Sequence, residues 1–151
     1  MAKRAIEEAV LIDTGPLVAA MNRDDADHER CVEVFRALPL GKSFTCWPVL
    51  TEAAYLMRVR LNLLDPGKLF DLVVNRELEL APLNFIDLSG ILDAFRRYHD
   101  QHVDLADAAL LQLAERMDIK TVFTTDRRRF RLYAGSNGSP FRLLPDDFAA
   151  D

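Results

Sequence analysis

The sequence predicts an α/β protein in which helices cover a mainly parallel β-sheet. Five short apolar or β-branched runs, at 9–12, 44–47, 78–81, 120–125 and 141–144, have strand character, and segments of helical periodicity separate them. Strands joined through helices have the crossover length that parallel pairing requires. Two of the runs stop on an aspartate, Asp13 and Asp126, and ligands of parallel sheets bind outside the carboxyl ends of the strands.

Residues 9–12 are apolar without helical period, which suits a buried strand. Gly15 and Pro16 then turn the chain into a helix, whose start tolerates proline because the missing N–H would have no partner there. Residues 27–38 place Cys31, Val34, Phe35 and Leu38 on one side of an amphipathic helix. Residues 44–47 form the second strand, and Pro48 opens a helix to about Val59. Asp65 and Pro66 make a cap and first-turn pair for the next helix, followed by a short strand at 78–81. Asp87 caps a helix to about Tyr98, residues 103–117 form another, the β-branched run 120–125 is a strand, and 141–144 is the last.

At 151 residues with 50% hydrophobic content, the chain can build one core without disulfides or structural metal. A single domain over 1–151 is expected, since no repeat or linker interrupts it and only 135–140 is a Gly/Ser-rich loop. Lys3 and Arg4 are soon followed by Glu7 and Glu8, and no apolar run has the length of a signal segment or membrane span. The expectation is a cytoplasmic protein with no membrane contact. Cys31 and Cys46 lack Cys-x-x-Cys spacing and read as small buried hydrophobes.

A formal charge of −5 argues against a broadly basic nucleic-acid surface. Setting aside the five candidate site acids leaves 19 acidic and 19 basic residues, a neutral shell around a negative pocket whose charge a bound cation would offset. Arg127, Arg128, Arg129 and Arg131 follow Asp126, a local basic density that could hold phosphates or be a solvated face.

Asp13 and Asp126, taken alone, fit as turn or cap residues. Glu52 and Asp107 fall inside helices, where capping does not account for them. Leu110, Leu111 and Ala114 share the Asp107 face, and Val49, Tyr55, Leu56 and Val59 share that of Glu52. A carboxylate on an apolar face must be protonated, paired or bound to metal. No Lys or Arg lies near Asp107 on its own face. Asp104 precedes Asp107 by three residues and is either a further ligand or the cap of that helix. Thr14 and Thr124 flank the strand-end acids; they orient the acids or a water, or serve only β-propensity and local turns.

Clustered acids suit a hard cation. Magnesium and manganese prefer oxygen ligands, and such ions activate water and stabilise the leaving oxygen in displacement at phosphorus. One ion or two would satisfy the pattern.

The chain resembles PIN-domain proteins over nearly its whole length, and particularly the VapC-like toxin ribonucleases of toxin–antitoxin pairs. Leu11-Ile12-Asp13-Thr14-Gly15-Pro16-Leu17 is similar to the family's first motif, Thr51-Glu52-Ala53 to the position of its glutamate, Asp104-Leu105-Ala106-Asp107-Ala108-Ala109 to the motif of its third acid, and Thr124-Thr125-Asp126-Arg127-Arg128-Arg129-Phe130 to the last. The resemblance implies a three-layer sandwich around a parallel sheet of four or five strands in order 3-2-1-4-5. It implies Asp13, Glu52, Asp107 and Asp126 as catalytic acids holding Mg2+ or Mn2+, endonucleolytic cleavage of RNA, a homodimer, and an antitoxin whose C-terminal segment blocks the pocket, often with a basic residue. Attack by water on phosphorus would leave 5′-phosphate and 3′-hydroxyl ends, with Arg127, Arg128, Arg129 and Arg131 holding backbone phosphates.

Other readings stay open. A PIN scaffold can serve as an RNA- or protein-binding module with negligible turnover, or in RNA processing outside a toxin pair. A phosphatase of the haloacid dehalogenase type needs a second acid two residues after the first, where Gly15 stands. A receiver-type phosphoacceptor fits poorly because Lys120 precedes its strand. His99, Asp100 and His102 offer no fourth zinc ligand nearby, and with His28 the histidines read as surface or helix-end residues.

Overall fold

A computed structural model describes residues 5–63 and 65–148; Lys3 and Arg4 lie outside them. Its sheet has five strands, β1 (Val10–Ile12), β2 (Ser43–Thr45), β3 (Glu79–Leu80), β4 (Thr121–Phe123) and β5 (Arg142–Leu144), in the order β3-β2-β1-β4-β5. Every pairing is parallel, as the alternation of strands and helices predicts. All three residues of β1 and of β4 are buried. Neighbouring residues of a strand point to opposite faces, so both faces of the sheet centre are covered, the three-layer arrangement.

The cover is supplied by α1 (Thr14–Ala20), α2 (His28–Ala37), α3 (Trp47–Leu61), α4 (Gly67–Val74), α5 (Leu88–Arg97), α6 (Leu105–Met117) and α7 (Arg127–Leu132). α1 packs on α2 and α3, α5 packs on α6, and α3 meets α6. The core runs through Leu11, Ile12, Leu17, Leu50, Met57, Leu110, Leu113 and Phe123. Cys31 and Cys46 are buried free thiols, and burial pushes both up to about 12, which keeps them protonated and inert.

Three expected boundaries move for identifiable reasons. Trp47 belongs to α3 rather than to the second strand, because Pro48 takes an early helical position and the chain turns one residue before it. Asp87 does not cap α5 with its side chain; its carboxylate reaches back to Asn84 N–H, closing a capping box around the single 3-10 turn Phe85–Asp87. Arg127–Leu132, for which the sequence indicates no helix, is the helix α7, capped by the Asp126 carboxylate accepting Arg129 N–H at 3.3 Å.

Register positions the site. Ile12 lies opposite Phe123, and Phe123 opposite Leu144. Asp13 and Thr124 therefore leave the sheet side by side, with Asp13 N–H donating to the Phe123 carbonyl and Thr124 N–H to the Leu144 carbonyl, both at 2.9 Å.

Candidate active site

Asp13 directly follows β1 and is 6% exposed, and the Thr124 hydroxyl donates to its Oδ2 at 2.8 Å. The same hydroxyl oxygen accepts Asp126 N–H at 3.0 Å, so Thr124 ties the two strand-end acids together. Thr124 thus does more than its β-propensity required. Burial, with the nearby Asp107 and Glu52 charges, pushes the Asp13 carboxyl up to about 7 against the opposing effect of Thr124.

Asp107 projects from α6 into the same region and is 4% exposed. Its Oδ2 accepts from the Tyr133 hydroxyl at 2.8 Å and from Arg129 Nη1 at 2.7 Å. Burial and the neighbouring Asp104 carboxylate push Asp107 up, opposed by Tyr133 and Arg129. Asp104 does cap α6, accepting Asp107 N–H at 2.8 Å, and its other oxygen stands 3.5 Å from Arg129 Nη1. The two readings of Asp104 are compatible, because one oxygen serves the helix while the other lines the pocket.

Glu52 is half-buried on α3, and burial together with Asp104 and Asp107 raises its carboxyl. The apolar face assigned to it holds only in part. Val49 is buried, but Tyr55 and Val59 are 64% and 58% exposed, so Glu52 sits where α3 passes from core to surface. The Thr14 hydroxyl is buried and makes no hydrogen bond of good geometry, yet lies near enough to oppose the rise at Glu52. An unpartnered buried hydroxyl among carboxylates is a donor or ligand-shell group in waiting.

Asp126, the cap of α7, completes the set, with Arg129 Nε 2.8 Å from its Oδ2. The partner of Asp107 therefore comes from α7 and not from its own helix. The four arginines separate in space. Arg129 turns into the acids, whereas Arg127 and Arg131 reach Asp146 at 3.0 and 3.6 Å, joined there by Arg30 of α2 at 2.9 Å, and Arg128 is exposed. Tyr133 and Arg30 escaped sequence reasoning. Tyr133 reads as an ordinary buried aromatic, and Arg30 is distant in the chain from every acid it serves except Asp27.

The donors are all oxygen, three of the carboxyls are raised by burial and like charge, and an unpartnered hydroxyl adjoins them, which is chemistry that fits a hard divalent cation. Among the described residues, no three His, Cys, Asp or Glu side chains already converge tightly enough to enclose one. The Arg129 guanidinium stands among them as the local positive charge. His99 pairs with Asp100 on the surface, in keeping with the helix-end reading of the histidines.

The PIN domain family model matches residues 10–135, which take in β1 to β4, all seven α-helices and the five candidate acids but not β5. The chain belongs to the PIN domain family. It is 29% identical over 141 residues to Ribonuclease VapC26 of Mycobacterium tuberculosis, covering 90% of this chain and all of that protein. Its fold is similar to the crystal structure of Mycobacterium tuberculosis VapC20, a sarcin–ricin loop cleaving toxin, with a TM-score of 0.73 at 15% identity over 80% of this chain and 92% of that one. A chain of FitAB bound to an IR36 DNA fragment is similar at a TM-score of 0.59 and 17% identity, over 80% and 87% of the two chains. The order 3-2-1-4-5 that the family resemblance implies is the order found.

Proposed function

We propose that this PIN-domain protein is a divalent-metal-dependent endoribonuclease, the toxin of a toxin–antitoxin pair, working in the cytoplasm as a homodimer. One observation carries the catalytic reading. Five carboxylates, from α3, the end of β1, the start of α6 and the segment after β4, gather at the carboxyl edge of the sheet, in a chain of which 90% aligns with the full length of Ribonuclease VapC26.

Asp13, Glu52, Asp104, Asp107 and Asp126 would hold one or two Mg2+ or Mn2+ ions. The ion would supply positive charge at the scissile phosphate and lower the pKa of an attacking water. The rest falls to the chain. Thr124 fixes Asp13 and, through the backbone, Asp126; Tyr133 fixes Asp107; the Asp104 cap fixes the start of α6. Arg127, Arg128 and Arg131 present positive charge beside Asp126 for backbone phosphates, with Asp146 gathering two of them and Arg30. Neutralising Arg127, Arg128 and Arg131 together should weaken RNA binding and flatten its salt dependence. An unchanged slope would make this a solvated face.

The deciding experiment is cleavage of end-labelled RNA by wild type and Asp13→Asn, with Mg2+, Mn2+ or EDTA. Wild type should cut only with metal, leaving 5′-phosphate and 3′-hydroxyl ends, and Asp13→Asn should fall to background. Equal activity of the two proteins, or 2′,3′-cyclic phosphate ends, would sink the mechanism. No cleavage by wild type in any metal would favour a non-catalytic binding module.

A further inference from the structure

Arg129 stands where its own chain position does not call for it. Asp126 caps α7 and is bonded to Arg129 N–H, which fixes this residue one turn into the helix. From there a single guanidinium spans three acids from two parts of the chain. Nη1 is 2.7 Å from Asp107 Oδ2 and 3.5 Å from Asp104 Oδ2, and Nε is 2.8 Å from Asp126 Oδ2. The planar fork of arginine suits such bridging, which a point-like ammonium serves less well.

These three carboxylates belong to the group that would hold the divalent ion, so the guanidinium and the ion are drawn to the same negative field. Two cations side by side repel, and a half-buried setting screens that repulsion poorly. Arg129 is also placed to leave: its side chain is 35% exposed, so its exit needs only rotamer changes and the loss of its ion pairs. Its neighbours Arg127 and Arg131, facing Asp146, leave this role to Arg129 within α7.

We infer that Arg129 is the resident counter-ion of the acidic pocket, a positioning residue that holds Asp104, Asp107 and Asp126 together in the metal-free protein and gives way as a divalent ion enters. The inference rests on the metal-dependent reading of the pocket. It makes the affinity for metal a difference between two cations, so that the arginine sets how much metal is needed to load the site.

Mn2+ titrated into the full chain, read by the electron paramagnetic resonance of the free ion and by thermal melting, compares wild type with Arg129→Gln, Arg129→Lys and Asp107→Asn. Arg129→Gln should bind Mn2+ at least about tenfold more tightly than wild type. It should melt lower in EDTA and gain more from Mn2+. Arg129→Lys should lie between the two, and Asp107→Asn should lose the site. If Arg129→Gln does not fold without metal, Arg129→Lys decides, and tighter binding than wild type upholds the inference. Equal or weaker Mn2+ binding by the folded arginine variants overturns it and leaves the metal site standing. Failure of wild type to bind Mn2+ overturns the metal-dependent reading and this inference with it.

Discussion

The Thr124 hydroxyl serves two acids at once, donating to Asp13 and accepting from Asp126 N–H. Valine has nearly the same shape without the hydroxyl. Thr124→Val should therefore keep the fold while freeing Asp13 to rotate and leaving Asp126 N–H without its partner. Loss of such an outer partner lowers metal affinity about 10- to 100-fold. Mn2+ titration checks this, with Thr124→Ser expected to retain most of the affinity; equal binding by Thr124→Val would remove Thr124 from the site. The acids also set a pH dependence. Buried Asp13, raised to about 7, keeps a proton in the folded protein that the unfolded chain loses near pH ~4. Its contribution to stability is largest below the unfolded pKa and disappears as pH rises through about 7. Glu52 and Asp107 shift the same way, whereas Asp87 and Asp146 are lowered, so their losses fall at more acid pH. In EDTA the melting temperature should fall between pH 5 and pH 7, within the span from the ordinary aspartate range up to about 7, and Asp13→Asn should flatten that slope.

At the scale of elements, α1 and the segment after β4 are locked by one close approach. A Cβ built on Gly15 would lie 2.0 Å from Thr125 Oγ1 and 3.2 Å from Thr125 Cβ. Gly15→Ala must therefore displace Thr125, the residue between Thr124 and Asp126, and both stability and metal binding should drop. Thr125→Ala removes the clashing oxygen, so the double variant should recover much of the loss in melting temperature. Additive losses would show that the contact is not what Gly15 is for. The elements themselves were largely legible in the sequence: the apolar runs ending at Asp13 and Asp126, the proline after Trp47 and the Asp104 cap each mark a boundary by local chemistry. Less legible were features that depend on tertiary contact. The six residues of α7 are too few for a periodic pattern, and four of them are arginines, so charge hid the helix. The Arg129 and Tyr133 bonds to Asp107 join segments more than 20 residues apart in the chain, at separations of 22 and 26, and no local rule finds them. For Glu52, periodicity identified the helix but assigned Tyr55 and Val59 to the core when both lie on the surface.

Across the whole molecule, that misassignment bears on association. Tyr55 and Val59 lie one turn apart on α3, and Phe85 and Ile86 are 88% and 83% exposed. Apolar side chains this open in adjacent positions are the material of an interface. Each copy carries a formal charge of −5, so two copies repel, and apolar burial would have to carry the proposed homodimer. Salt screens that repulsion and should tighten the dimer, whereas salt releases RNA from a basic surface. The opposite signs separate the two surfaces without any mutation. Sedimentation velocity of wild type should show a dimer that strengthens from low to high salt, and Tyr55→Asp with Val59→Asp should shift it to monomer. Because both side chains are exposed in the single chain, the double variant should melt close to a wild-type monomer. A wild type that stays monomeric at every salt concentration would sink the homodimer. A double variant that stays dimeric would move the interface off α3, and Phe85→Asp with Ile86→Asp would then test the other exposed pair.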